Sequence, residues 1–497
     1  MNFLGIDVGT GGTRAVLIDS RGTVVSSAAV EHEPFASPGI GWAEQSPEDW
    51  RRATVAAIRG VLRQENVHVE EIKAIGFSGQ MHGSVLLGEH DRVLRPALIW
   101  CDQRTEKQCR VITEKIGRET LIERVCNPAV TGFTLPKLLW VSENEPEIWG
   151  RVKTVLLPKD YVRFCLSGDK ASDVADSSGT LLFDVQNRRW SSEMLTAFEI
   201  DEKLLPRVFE SIEITGTVSK TGAAETGLLE GTLIVAGAGD NAAGAIGMGV
   251  TRAGTTSATI GTSGVVFGVT EKPLLDPKGR IHTLCHAIPN RWHNTGVTQS
   301  AGLSLRWLRD NFGGGKSYDE LVNEAAQIPS GSDGAIWLPY LMGERTPHLD
   351  PKARAALVGL TASHTRAHAV RAVLEGVAFS LRDSFEIFKE LNVPIETIRL
   401  GGGGAKSSLW QQIQADVYGQ TVETIEAEEG AAFGAALLAG VGAGAWKTVD
   451  EACAETIRVE RRIEPDEKSV EKLNRNYRAY QTLYAALRPA MQLITEN

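Results

Sequence analysis

Residues 237–247 read Gly-Ala-Gly-Asp-Asn-Ala-Ala-Gly-Ala-Ile-Gly and follow the apolar Leu233, Ile234 and Val235. That order describes a strand, a glycine turn and a helix of small residues, with the Asp240 carboxylate at the helix opening. A helix N-terminus stabilises the ionised form, while burial in a cleft raises the pKa. Asp240 is therefore either a poised base or an ordinary helix cap, the commonest use of an aspartate at that place.

A second acidic residue begins the stretch Asp7-Val8-Gly9-Thr10-Gly11-Gly12-Thr13, which joins two apolar strands. Glycines let backbone amides converge and threonines add hydroxyl donors, so the turn makes a concavity for an anion. An aspartate at the strand end can hold Mg²⁺ through water. The pattern returns at Gly261-Thr262-Ser263-Gly264, again between two short apolar runs. Further on, Gly401-Gly402-Gly403-Gly404-Ala405-Lys406-Ser407-Ser408 lies between a strand and a helix, where bare backbone lets a flat ring or a phosphate approach. The common G-x-x-x-x-G-K-[ST] phosphate loop is absent: Asp310 takes the first glycine's place before Gly315-Lys316-Ser317, and Ala405 precedes Lys406. A nucleotide would have to be held by the paired hairpins.

Two other stretches carry polar groups at strand ends. Ser78-Gly79-Gln80-Met81-His82-Gly83-Ser84 suits either a ligand-facing loop or a plain turn. Trp100, ahead of Cys101-Asp102-Gln103-Arg104, has a ring that can stack on a small polyol, although most of the 11 tryptophans belong in a core. His282, Cys285 and His286 invite a metal, but strand alternation parts adjacent side chains and a fourth ligand is missing.

The elements that must position these groups are of two periods. Residues 47–62 form an amphipathic helix, opened by Ser46 and by Pro47, Glu48 and Asp49 in the first turn. Helices are also expected over 105–116, 156–165, 302–308, 367–388 and 409–418, a strand over 98–100, and a polar turn at 172–176. Leu473, Tyr477, Tyr480, Tyr484 and Leu487 have the spacing of a packing face. Each half of the chain offers a Gly/Thr hairpin early and an Ala/Gly helix late, the second of these helices within residues 429–436. Such self-similarity indicates internal duplication. We therefore expect two domains, residues 1–250 and 251–497, with the small-residue helices crossing as a hinge at the base of a cleft.

A chain of 497 residues is too long for one core, and 42% hydrophobic with 23% charged residues is ordinary globular composition. A net charge of -10 argues against nucleic acid or an anionic membrane as the partner. Six scattered cysteines suggest reduced thiols, and the absence of a signal sequence or spanning stretch suggests the cytoplasm.

Taken together, Gly5-Ile6-Asp7-Val8-Gly9-Thr10, Gly79-Gln80-Met81-His82-Gly83, Trp100-Cys101-Asp102-Gln103-Arg104, Gly239-Asp240-Asn241 and Gly401-Gly402-Gly403-Gly404-Ala405-Lys406-Ser407 resemble the FGGY family of carbohydrate kinases. The resemblance spans most of the chain. It implies an α/β fold of two ribonuclease-H/actin-like ATPase domains with a deep interdomain cleft. It implies ATP as phosphoryl donor, Mg²⁺ at Asp7, and D-xylulose as acceptor, with a homodimer as the family's guess. Asp240 would be the catalytic base. Met81 and His82, with Gln80, Trp100, Asp102 and Asn241, would contact the sugar. Thr10, Gly11 and Thr13 would hold phosphates from one side and Gly261 and Thr262 from the other. Gly402, Gly403 and Ser407 would line the adenine pocket, with Gly302 nearby. A kinase for another ketose or polyol, such as L-ribulose, L-xylulose or glycerol, is the alternative within enzymes. A non-catalytic actin-like ATPase is the alternative outside them.

Overall fold

The computed structural model describes residues 1–426 and 430–495. Two seven-stranded sheets organise it. Across the first, the order is Ile214–Thr217, Leu233–Val235, Ile72–Gly79, Asn2–Val8, Gly12–Asp19 and Val24–Glu31, with the short Ala238–Gly239 also paired to Ile72–Gly79. Across the second, it is Val459–Ile463, Val422–Ile425, Ile395–Gly402, Gly254–Ile260, Gly264–Thr270, Trp292–Thr298 and His282–Cys285. Strand directions agree position by position. Asn2–Val8 runs antiparallel to the hairpin strand after it and parallel to Ile72–Gly79. Gly254–Ile260 repeats both relations with Gly264–Thr270 and Ile395–Gly402. The duplication read from the hairpins is thus a duplication of whole sheets.

The central strand Asn2–Val8 is buried nearly throughout, as a strand covered on both faces must be, and its residues are correspondingly apolar. Helix Pro47–Leu62 has the expected bounds and buries Trp50, Ala53, Ala57, Ile58 and Val61 along one stripe. Leu473, Tyr477 and Tyr480 are buried on the long helix Glu467–Thr495, packed into the second half's core.

The small-residue helices meet on the first sheet, where Ala242, Ala243 and Ile246 pack with Phe3, Val16 and Ala74. Helix Gly430–Gly442, from late in the chain, lies on the first sheet: a Cβ on Gly5 would meet the Ala432 carbonyl at 1.9 Å, and one on Gly76 the Ala435 carbonyl at 2.0 Å. Helix Asp240–Gly247 also sends Ala245 into an apolar cluster with Phe267 and Val269 of the second sheet. The two helices pass in opposite senses, with Gly434 against Ala243 and Gly247 against Gly430. At both contacts the backbones approach too closely for any side chain. Glu429, at the head of the expected second helix, lies outside the described residues.

Three local expectations are corrected. Residues 172–176 are not an exposed polar turn but the end of a strand, Ala171–Asp173, and a short helix, Val174–Ser177, all buried. Inside, Asp173 pairs with the buried Lys159 and bonds the amides of Ala175 and Asp176, while the Asp176 carboxylate has no hydrogen-bond partner among the described residues. Helix 156–165 begins later, at Pro158–Ser167, because Thr154–Leu156 pairs as a strand with Val85–Leu87. The strand at 98–100 stops at Leu98, leaving Trp100 on a turn. Among the described residues no helix is long and apolar enough to cross a membrane.

Candidate active site

The carboxyl ends of parallel strands are where an open α/β sheet presents its ligands. Here Asp7 lies beside Ser78 in register, and Ala238 lies beside Ser78 from the opposite side. Asp240 follows at once as the first residue of its helix, with Gly239 in the cap position. The cap reading of Asp240 therefore lapses, and its carboxylate is left to face the sheet ends.

Asp240 is half-buried: protein encloses the carboxylate but one side reaches solvent. Burial pushes its pKa up to about 7, the nearby Asp7 adds to the rise, and the Asn241 amide opposes it. Asp7 is itself raised by burial, against the Ser78 hydroxyl, which donates to it at 2.9 Å, and the Arg14 charge. Two desolvated carboxylates that repel each other are a donor set a divalent cation relieves, so the residues fit Mg²⁺ at Asp7.

Behind this floor is a charge cluster that sequence reading missed. Lys159, Asp160, Asp173 and Asp176 are all fully buried, with Nζ of Lys159 at 2.6 Å from Asp173 and 3.7 Å from Asp176. Burial drives Asp176 well above the usual carboxylate range, with Asp240 among the charges that add to it. Nothing in the local sequence pattern distinguishes these aspartates from surface ones.

The first hairpin closes with the Gly9 amide on the Gly12 carbonyl, and the amides of Thr10 and Gly11 take no backbone carbonyl. A Cβ at Gly11 would meet nothing within 4 Å, so the turn opens to space. The Thr10 hydroxyl accepts from the Trp100 indole at 2.8 Å and donates to Gln80. Thr13 is 1% exposed and its hydroxyl bonds the His32 ring at 2.8 Å, bracing the hairpin.

Gln80 and Asp102 are also bonded within the protein. The Gln80 amide donates to Gln45 and turns toward Gly9 and Thr10, with 1% exposure. Asp102 is fully buried, accepting from the Ala43 amide at 2.6 Å and pairing with Arg104 at 2.7 Å. Arg104 in turn stacks 3.8 Å over the Trp42 ring. Asp102 thereby fixes the loop that presents Trp100, whose ring is 37% exposed.

Met81 is buried at Gly239, and the Asn241 amide reaches its sulfur at 3.8 Å. His82 has a positive φ of 68°, and its Nδ1 bonds the Gly179 carbonyl at 2.8 Å. Its ring packs on Phe133 with centroids 4.6 Å apart. Burial and then the Lys137 charge hold its pKa well below the usual histidine value, so it is neutral. The other histidines are occupied elsewhere: His282 bonds Asn127, His286 bonds the Val250 carbonyl, and Cys285 bonds the Val185 carbonyl.

At the equivalent end of the second sheet lies a cavity of about 730 Å³, lined by Gly261, Thr262, Gly302, Gly403 and Ser407. Gly402 adjoins it, held at φ +70°, where a Cβ would stand 2.5 Å from the Ile260 carbonyl. Ser407 also caps helix Ser408–Tyr418 through the Trp410 amide. Arg306, Tyr318 and Asn323 complete the wall and carried no sequence signal, being single polar residues on otherwise ordinary helices.

The paired sheets, the two glycine-rich turns and a raised carboxylate at a sheet end define a sugar kinase, and comparison with known proteins agrees. Residues 2–247 match the N-terminal domain, and residues 256–443 the C-terminal domain, of the FGGY family of carbohydrate kinases. The chain is 39% identical over 481 residues to the xylulose kinase of Bacillus subtilis, covering 97% of this chain and 96% of that one. It is 38% identical over 490 residues to the xylulose kinase of Escherichia coli K12, covering 98% and 100%. The crystal structure of xylulose kinase from Rhodospirillum rubrum superposes with a TM-score of 0.91 at 28% identity, covering 99% of this chain and 100% of that chain. The chain belongs to the FGGY family of carbohydrate kinases, enzymes that transfer phosphate from ATP to a sugar.

Proposed function

We propose that this enzyme phosphorylates D-xylulose with ATP to give D-xylulose 5-phosphate, by direct in-line transfer with Asp240 as general base. The observation that carries the reading is the Asp240 carboxyl, raised to about 7 beside Asp7 at the sheet ends. The names of the relatives at 38% and 39% identity support the choice of sugar.

In this mechanism the cavity beside Gly403 and Ser407 takes the adenine, and Gly261 and Thr262 face the phosphates. The amides of Thr10 and Gly11 and the Thr10 hydroxyl approach from the first half. Asp7 would hold Mg²⁺, which would supply neutralisation of phosphate charge. Met81, Asn241 and His82 position the ketose, with Trp100 as the exposed wall. Asp240 takes the proton from the attacking hydroxyl; a base with a pKa near the working pH is ionised often enough to act and strong enough to accept. Phosphoryl transfer asks for alignment and charge neutralisation more than covalent help. Closure of the halves, residues 1–250 and 251–497, on the glycine crossing excludes water as a competing acceptor.

A coupled assay of ADP release across D-xylulose, L-xylulose, L-ribulose and glycerol tests the assignment. D-xylulose is expected to give the highest kcat/KM, with little ADP released when sugar is omitted. A higher kcat/KM for another acceptor would replace the substrate, and sugar-independent release at the same rate would replace the class.

A further inference from the structure

Arg345 comes from the second half of the chain yet reaches the first half's sugar-side loops. A Cβ built on Gly132 would stand 3.7 Å from Nη2 of Arg345 and 3.2 Å from the Trp100 carbonyl oxygen. Its charge is felt by both His82 and His282, the two rings that pack on either neighbour contact of Phe133. It does not figure in the surroundings of Asp240, which are set by burial, Asp7 and the Asn241 amide. Arg345 thus stands by the loops that carry Trp100 and His82.

The backbone of Arg345 is pinned while its guanidinium is not. Its amide donates to Glu344 at 2.8 Å, its carbonyl accepts from Leu349 at 2.6 Å, and the next residue bonds Val297. Glu344, its sequence neighbour, turns its carboxylate inward to Thr298, Gln299 and Ser380. Among the described residues the guanidinium makes neither an ion pair nor a hydrogen bond, although the residue is half-buried. A cation with five N–H donors and no protein acceptor has those donors free for a ligand.

Resting on the kinase reading above, we propose that the Arg345 guanidinium reads the carbonyl end of the ketose and so selects ketoses over the corresponding polyols. A carbonyl oxygen only accepts hydrogen bonds, which matches a group that only donates. The hydroxyl of a pentitol at that place can also accept from arginine, but on a tetrahedral carbon out of the plane of the guanidinium fork and with a proton that needs a further acceptor. In the proposed placement the C5 hydroxyl lies at Asp240, the chain runs along Met81 and His82, and the C2 carbonyl, one carbon short of the far end, faces Arg345. A site built on unpaired donors discriminates strongly against the analogue that leaves them poorly matched.

The test is steady-state kinetics of wild type, Arg345→Met and Arg345→Lys with D-xylulose, with xylitol and D-arabinitol as competitive inhibitors, and with folding followed by thermal melting. Loss of hydrogen bonds from a charged donor is expected to raise the D-xylulose KM roughly 10- to 100-fold in Arg345→Met. ATP KM should stay within about twofold, and pentitol inhibition should change far less than the ketose KM, so that selectivity collapses. Arg345→Lys keeps the charge and should recover only part of the selectivity, since it lacks the planar fork. An unchanged D-xylulose KM in a folded variant overturns the inference and leaves the kinase reading standing. Equal weakening of ketose and pentitols also overturns it, by showing a structural role alone. Wild type that turns over none of the pentuloses overturns the substrate reading and this inference together.

Discussion

Asp7 and Asp240 flank one strand end: Asp7 is in register with Ser78, and the segment leading into Asp240 pairs with Ser78 and Gly79 from the other side. Asp7 is the charged group that raises Asp240. The pair couples the place for the cation to the place for the base, because whatever neutralises Asp7 also makes Asp240 easier to ionise.

That coupling has a sign. The acid limb of kcat/KM for the sugar should fall near pH 7 in the free enzyme, with activity rising as Asp240 loses its proton. Asp7→Asn removes the like charge, so the limb should move to lower pH even as the rate itself drops. A limb that stays in place or moves upward in Asp7→Asn contradicts the coupling.

The raised carboxyl should also cost stability. The pKa of Asp240 is about 7 in the fold against 3.8 as a model value, so the folded state binds the proton more tightly than the unfolded chain. Its contribution is fully present below pH 3.8 and is lost as pH climbs through about 7. Asp240→Asn should therefore melt higher than wild type at pH 8, by about a few degrees, with the difference shrinking toward pH 4. Melting curves that show no gain at pH 8 would remove the strain assigned to this carboxylate.

His82 is held neutral and aimed by the Gly179 carbonyl. His82→Ala should raise the sugar KM about 10-fold or more through the lost hydrogen bond and ring packing, leaving ATP KM within about twofold. A selective rise in ATP KM would place His82 on the nucleotide side.

The crossing of the two small-residue helices admits no side chain, since a Cβ on Gly434 would lie 1.8 Å from the Ala243 carbonyl. Gly434→Val should lower the melting temperature by many degrees or abolish folding, by overpacking at a backbone contact. A variant melting within a degree of wild type would mean that the helices are further apart than described.

The sequence made some of this legible and hid the rest for physical reasons. Backbone-defined features were readable, because glycine and alanine are chosen where chains approach closely: both hairpins, the Gly401–Gly404 turn region and the two small-residue helices were visible from composition alone. The passage of the late helix Gly430–Gly442 onto the first sheet was not, since local sequence carries no record of which sheet a helix will meet. Side-chain direction was the second blind spot. Thr13, Gln80 and Asp102 sit in the motifs that mark the site, and each bonds within the protein, to His32, Gln45 and Arg104. Asp173 and Asp176 read as a polar turn because a carboxylate facing the buried Lys159 looks the same in sequence as one in water.

The measurement that bears most directly on the account is kcat of Asp240→Asn at saturating D-xylulose and ATP. Removing the base should lower kcat by at least roughly 10²-fold while ATP KM is preserved. Turnover close to that of wild type would show that the proton leaves the sugar by another route, and that the carboxylate at the helix opening is not the base.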